Sequence, residues 1–120
     1  MKRLIVFAVL LMASIALSVP AGAEERFGAA VYPGAKYDEA TSKYMSESMQ
    51  LTIACFRTAD SLSKVAAFYR KQDGFSIRGD VMKENAFFQS ENADVRLQNP
   101  WLNVLSGRMM NDTLISIVKK

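Results

Sequence analysis

Histidine is absent from this 120-residue chain. With it go the Ser-His-Asp and Cys-His arrangements and most zinc sites. By residue type, what remains for chemistry is one thiol, Cys55, the methionines Met45, Met49, Met82, Met109 and Met110, and carboxylates spread along the chain. A thiolate can act as nucleophile or metal ligand. Cys55 falls within an alternating apolar stretch, on the same parity as Met49, Leu51 and Ile53, where a cysteine packs as a small hydrophobe. Thioethers can hold Cu(I). Met45 and Met49 are four apart in a region where extended backbone separates them, and Met109 and Met110 point to opposite sides of a strand. Gap-filling in the core is the reading for these methionines, and no metal or other cofactor is implied. Asp60, Asp73, Asp80, Asp94 and Asp112 sit at element ends, where aspartate caps helices and accepts turn hydrogen bonds. Asn111-Asp112-Thr113 matches a glycosylation sequon. No residue is thereby singled out as catalytic.

The elements that must position these groups start after an unusual leader. Lys2-Arg3, an apolar run over residues 4–19, Pro20 and the tripeptide Ala21-Gly22-Ala23 form a bacterial secretory signal, with cleavage expected after Ala23. The run is too short to span a bilayer as a helix, and no membrane span is expected after cleavage. The destination is the periplasm or the medium. Two of the 15 basic residues lie in this leader, leaving 13 against 12 acidic ones. A near-neutral domain without a basic stripe gives nucleic acid no footing. A lone cysteine allows no internal disulfide, so stability must come from packing.

Residues 24–48 read as an irregular entry segment, with a turn at Tyr32-Pro33-Gly34, and residues 49–120 as a single α+β domain. Alternation predicts a strand over 49–57. Helical spacing of Leu62, Val65, Ala66 and Tyr69 predicts a helix over 61–72, with Asp60 the preferred cap and Asp73-Gly74 the stop. Period-two patterning then predicts strands over 75–81, 85–91, 94–98 and 113–119. The expected architecture is one helix packed on a curved antiparallel sheet, in the order strand, helix, meander, a layout shared by cystatin-like folds only as an analogy.

Three stretches taken together carry a resemblance: Val31-Tyr32-Pro33-Gly34-Ala35; Thr58-Ala59-Asp60-Ser61 with Val65 and Phe68-Tyr69; and Asn99-Pro100-Trp101 with residues 112–117. They are similar to a group of small exported bacterial proteins of unknown function that carry a YPGA-type turn and a short FY-bearing helix. The resemblance implies export and a single domain, and no activity.

Adjacent Phe87 and Phe88, and the run Leu114, Ile115, Ile117, Val118, place apolar side chains on both faces of the sheet. One helix covers one face. Cover for the other must come from the entry segment with Phe27, Val31, Tyr32 and Tyr37, from residues 101–105, from a second protomer, or from a ligand. The expected function is a non-catalytic binding or interaction module using that second face, with Tyr32, Phe87 and Trp101 as aromatic anchors and an envelope protein or a second copy as partner. The alternatives are a small carboxylate- or Cys55-dependent enzyme and a passive envelope component.

Overall fold

The computed structural model describes residues 24–79 and 81–120. The leader over residues 1–23 lies outside them. The fold is α+β, with two helices packed against an antiparallel sheet. A small hairpin, β1 (Glu25–Arg26) and β2 (Ala29–Ala30), comes first. Then follow β3 (Lys36–Tyr37), α1 (Glu39–Met49), β4 (Ile53–Thr58), α2 (Leu62–Arg70) and β5 (Ser76–Ile77). The rest is β6 (Asn85–Gln89), β7 (Ala93–Gln98), a second hairpin of β8 (Trp101–Asn103) and β9 (Arg108–Met110), and β10 (Thr113–Lys119). The main sheet runs β3-β4-β10-β7-β6-β5, every pair antiparallel.

Residues 24–48 are not irregular: they hold three short strands and all but the last residue of a helix, so the described residues contain two helices instead of one. The strand expected over 49–57 begins only at Ile53, because Met49 closes α1 and Leu51 lies in the turn, both exposed. Helix α1 escapes an apolar-periodicity search because its inward positions are small and polar. Thr41 and Ser42 are its buried residues, followed at helical spacing by Met45 and Ser46. Its caps are regular. Asp38 Oδ1 accepts from the Thr41 amide at 3.0 Å, and Gln50 ends the helix in the left-handed region at φ 55°.

Burial along each strand maps what lies over it. In β4 and β10 consecutive residues are buried, so both faces are covered. In β7 burial alternates, with Ala93, Val95 and Leu97 buried and Arg96 exposed. Over one face of the whole sheet lies α2, whose Leu62, Val65, Ala66 and Tyr69 pack against Phe88, Val95, Leu97, Ile115 and Ile117. Fully burying each aliphatic or aromatic side chain of this kind stabilises by about 1.5–3 kcal/mol. Phe27, Val31 and Tyr32 join this same cluster, and Tyr69 donates to the Ala30 carbonyl at 2.8 Å. The entry segment therefore thickens the face α2 already covers. The second face has its own cluster of Ile53, Cys55, Trp101 and Leu114, closed by Met45 of α1 and by Met110.

Helix α1 also closes an edge. Strand β3 pairs with β4 only at Phe56 and Arg57, and the Asp38 amide bonds the Cys55 carbonyl. Beyond that the edge of β4 meets two serine hydroxyls one helical turn apart. Ser42 Oγ accepts from the Cys55 amide at 2.7 Å and donates to the Asp38 carbonyl at 2.7 Å. Ser46 Oγ accepts from the Ile53 amide and donates to its carbonyl, both at 3.0 Å. The serines take the place of a missing strand, and the exposed ladder groups that make edges sticky are satisfied.

The helix expected over 61–72 is α2, capped by Ser61, whose Oγ accepts from the Lys64 amide at 3.2 Å. Asp60, the expected cap, instead accepts a hydrogen bond from Tyr32. Strands β6, β7 and β10 match the expected ones to within two residues, while in the stretch over 75–81 the described residues form a strand at Ser76–Ile77, extended by the Arg78 amide donating to the Phe87 carbonyl at 2.8 Å.

Candidate functional site

The β7–β10 pairing does not stop at the sheet. Beyond Leu114↔Gln98 it continues past Asn99-Pro100 and Asn111-Asp112 into the β8–β9 hairpin, in register Trp101↔Met110, Leu102↔Met109, Asn103↔Arg108. Neighbouring β6 has already ended at Asn85 opposite Gln98, and β4 at Thr58 opposite Thr113. The hairpin is a two-stranded arm extending from the middle of the sheet.

Trp101 anchors the arm's base. It is 3 % exposed, and its Nε1 donates to Asp112 Oδ1 at 2.8 Å. The Arg57 guanidinium lies over its ring at 5.0 Å, donating from Nε to Asp112 Oδ2 at 2.8 Å and approaching Asp38 Oδ2 at 3.5 Å. The hydrogen bond to Asp112 is the main reason the Arg57 pKa is raised above its ordinary value. This cluster ties α1, β4, β10 and the arm at one point.

Around it opens a depression of about 760 Å³, lined among others by Lys36, Asp38, Arg57, Asp60 and Asp112. Its three aspartates all have structural partners. Asp38 caps α1, Asp112 holds Trp101 and Arg57, and Asp60 Oδ2 accepts from the Tyr32 hydroxyl at 2.6 Å. That bond raises the Tyr32 pKa. Carboxylates engaged in this way act as braces. Cys55 is fully buried between α1 and β10, its Sγ 3.6 Å from Ser116 Oγ. Burial pushes its thiol pKa up, which lowers the thiolate fraction and its reactivity.

The second sheet face is covered over β4 and β10 and open beyond. Between α1 and the arm runs a narrow groove of about 140 Å³, with Tyr44 and Met45 on one wall, Leu102, Val104 and Leu105 on the other, and Trp101 and Leu114 in its lining. Farther along the face, Phe87 lies under Arg96, whose guanidinium is 5.3 Å from the ring, in a shallow depression with Asn85 and Gln98.

The three expected anchors thus fall in three places. Trp101 belongs to the groove, Phe87 to the open part of the same face, and Tyr32 to the opposite face, edge-on to Phe68. The structure does not bring them together. Tyr44, Leu102, Val104 and Leu105 were missed as surface residues. The signal for the last three is the Leu102-Asn103-Val104-Leu105 run leading into Ser106-Gly107, apolar where a turn is ordinarily polar.

Comparison with family models, with curated proteins and with solved structures returns no match. The class is therefore set by geometry: an α+β domain with helices on opposite faces of a six-stranded antiparallel sheet and an apolar arm at its centre.

Proposed function

We propose that this chain is an exported, non-catalytic binding module of the bacterial envelope that engages its partner through the second sheet face. The observation carrying this reading is the concentration of exposed apolar side chains on the arm and on the helix beside it. Tyr44, Leu102, Val104, Leu105 and Met109 are all exposed, and most of them border the groove between α1 and the arm. Scattered single hydrophobes are ordinary on a surface, whereas a contiguous group marks an interaction site. Export rests on the leader over residues 1–23 and agrees with the resemblance to small exported proteins. Trp101 serves as the floor of the site, and Tyr44 and Leu105 are its outward anchors.

Site-specific photo-crosslinking in the producing cell tests the reading. A crosslinker at position 105 should capture a discrete partner, protein or phospholipid, in the envelope fraction, on a protein whose mass begins at Glu24. The same crosslinker at position 67, on the exposed side of α2, should not. Equal capture at both positions, or none at either, refutes it.

A further inference from the structure

The tip of the arm combines features that the interior does not require. Val104 is 50 % and Leu105 54 % exposed, and the cross-strand pair behind them, Leu102 and Met109, is 54 % and 58 % exposed. No core packs on them, and a turn has no need of aliphatic residues. Charge around them is one-sided. From Val95 to Asn111 there is no acidic residue, while Arg96 and Arg108 are both exposed. The next acid, Asp112, is held by Arg57 and Trp101. On its groove side α1 contributes Thr41, Tyr44 and Met45, all uncharged.

Shape and charge select the partner. The aliphatic side chains project from the end of a hairpin, a convex wedge, and the groove beside it is too small to receive much. In a symmetric contact with a second copy, the arm would meet its own equivalent, bringing Arg108 near its mate with no acid in the segment to neutralise either. An anionic lipid surface offers the opposite: an apolar layer for the tip and phosphates for the cation. Tyr44, beside the tip, has the amphipathic ring that settles at headgroup level. No helix among the described residues is long and apolar enough to cross a membrane, so the contact is with one leaflet's surface.

We infer that the β8–β9 arm is a membrane-contact element, inserting Val104 and Leu105 into the interface of an anionic phospholipid bilayer while Arg108 meets headgroup phosphates. This rests on the reading of the arm and groove as the interaction surface.

Co-sedimentation of the exported chain, purified from periplasm, with vesicles of phosphatidylglycerol and phosphatidylethanolamine tests it. The chain should sediment with these and much less with phosphatidylcholine alone. Val104→Ser with Leu105→Ser should lower the partition coefficient by about tenfold or more, since each aliphatic side chain withdrawn from the interface removes a favourable apolar transfer. Arg108→Gln should weaken only the binding to anionic vesicles, and Ala67→Ser on α2 should change nothing. All four positions are exposed, and unchanged emission from Trp101 verifies the fold of each variant. Absence of sedimentation with anionic vesicles, or sedimentation that the tip substitutions leave intact, overturns the inference. If vesicle binding is absent while Val104→Ser alone abolishes the position-105 crosslink, or the double substitution abolishes a concentration-dependent dimer, the arm contacts protein: the lipid inference falls and the binding-module reading stands. Loss of both vesicle binding and selective crosslinking removes both.

Discussion

Replacing Ser42 by alanine removes one hydroxyl and leaves a strand edge without its partner. Ser42 is 3 % exposed, and its Oγ is the acceptor for the Cys55 amide at 2.7 Å, a bond that water cannot readily replace at a buried position. Leaving a buried donor unpaired costs about 1–3 kcal/mol. The higher helix propensity of alanine returns at most about 0.5 kcal/mol, so the net effect is destabilising. For a domain of this size each kcal/mol moves Tm by about 4–8 °C, which puts the expected drop at about 5–15 °C. Ser46→Ala should cost less, about 0.5–1.5 kcal/mol, because Ser46 is only half-buried and solvent can reach the freed Ile53 groups. Urea denaturation provides the first assay: the midpoint should fall at unchanged slope. Hydrogen exchange supplies the second, since the Cys55 amide should lose protection more than its β10-facing neighbours. Ser48→Ala, on the exposed side of the same helix, is the control and should stay within about 0.5 kcal/mol of the parent. If Ser42→Ala matches that control in midpoint and the Cys55 amide still exchanges slowly, α1 does not close the edge of β4 as argued.

Three further outcomes are expected. Burial raises the pKa of Cys55 and of Tyr69 in the folded state, so the unfolded chain releases these protons first; stability is then full below the unfolded values and declines as pH rises from about 8.5 for the thiol and about 10 for the phenol. Each group contributes a slope of about 1.4 kcal/mol per pH unit across its window, read from urea midpoints between pH 8 and 11, and Cys55→Ala should remove the earlier part; a flat profile would contradict the burial of both groups. Trp101, the single tryptophan, should emit at short wavelength and resist acrylamide in the native state, and Trp101→Phe should cost about 1–3 kcal/mol by leaving Asp112 Oδ1 without its donor; solvent-like native emission would place the ring outside the core. Gln50→Gly should stabilise by about 0.5–1 kcal/mol, because φ at this cap is 55°, a region glycine enters without a Cβ penalty, and an unchanged or lower urea midpoint would argue against that cap geometry.

Where periodicity carried the information, the sequence was legible. The spacing of Leu62, Val65, Ala66 and Tyr69 defines α2, and alternation in residues 94–98 places Val95 and Leu97 on the α2 side with Arg96 away from it. The two-sided apolar character of residues 114–118 signals a strand covered on both faces, as β10 is. Helix α1 hides for a physical reason: its docking is made by serine hydroxyls against backbone groups, and a search for apolar stripes cannot register a contact built from hydrogen bonds. Asp38 followed by Glu39, with Gln50 at the far end, was the available cue. Met49 and Leu51 continue the parity of Ile53 by coincidence, which stretched the first strand backwards over the end of α1. Strand alternation and residue type together point to aromatic anchors on the second face, and neither marks which aromatic is buried. Trp101 is instead held in the interior by Asp112 and Arg57, and the side chains exposed beyond it are aliphatic ones at a turn that no propensity scale would mark.

The position of β10 sets an order of events for assembly. Residues 113–119 come last, yet they lie between β4 and β7, bonded to both along nearly their whole length. Until they arrive, no strand bonds the two halves of the sheet to each other, and Ala54, Phe56, Val95 and Leu97 lack the Ile115 and Ile117 that lie between them in the core beneath α2. A chain cut before Thr113 therefore lacks the one strand that holds β4 beside β7.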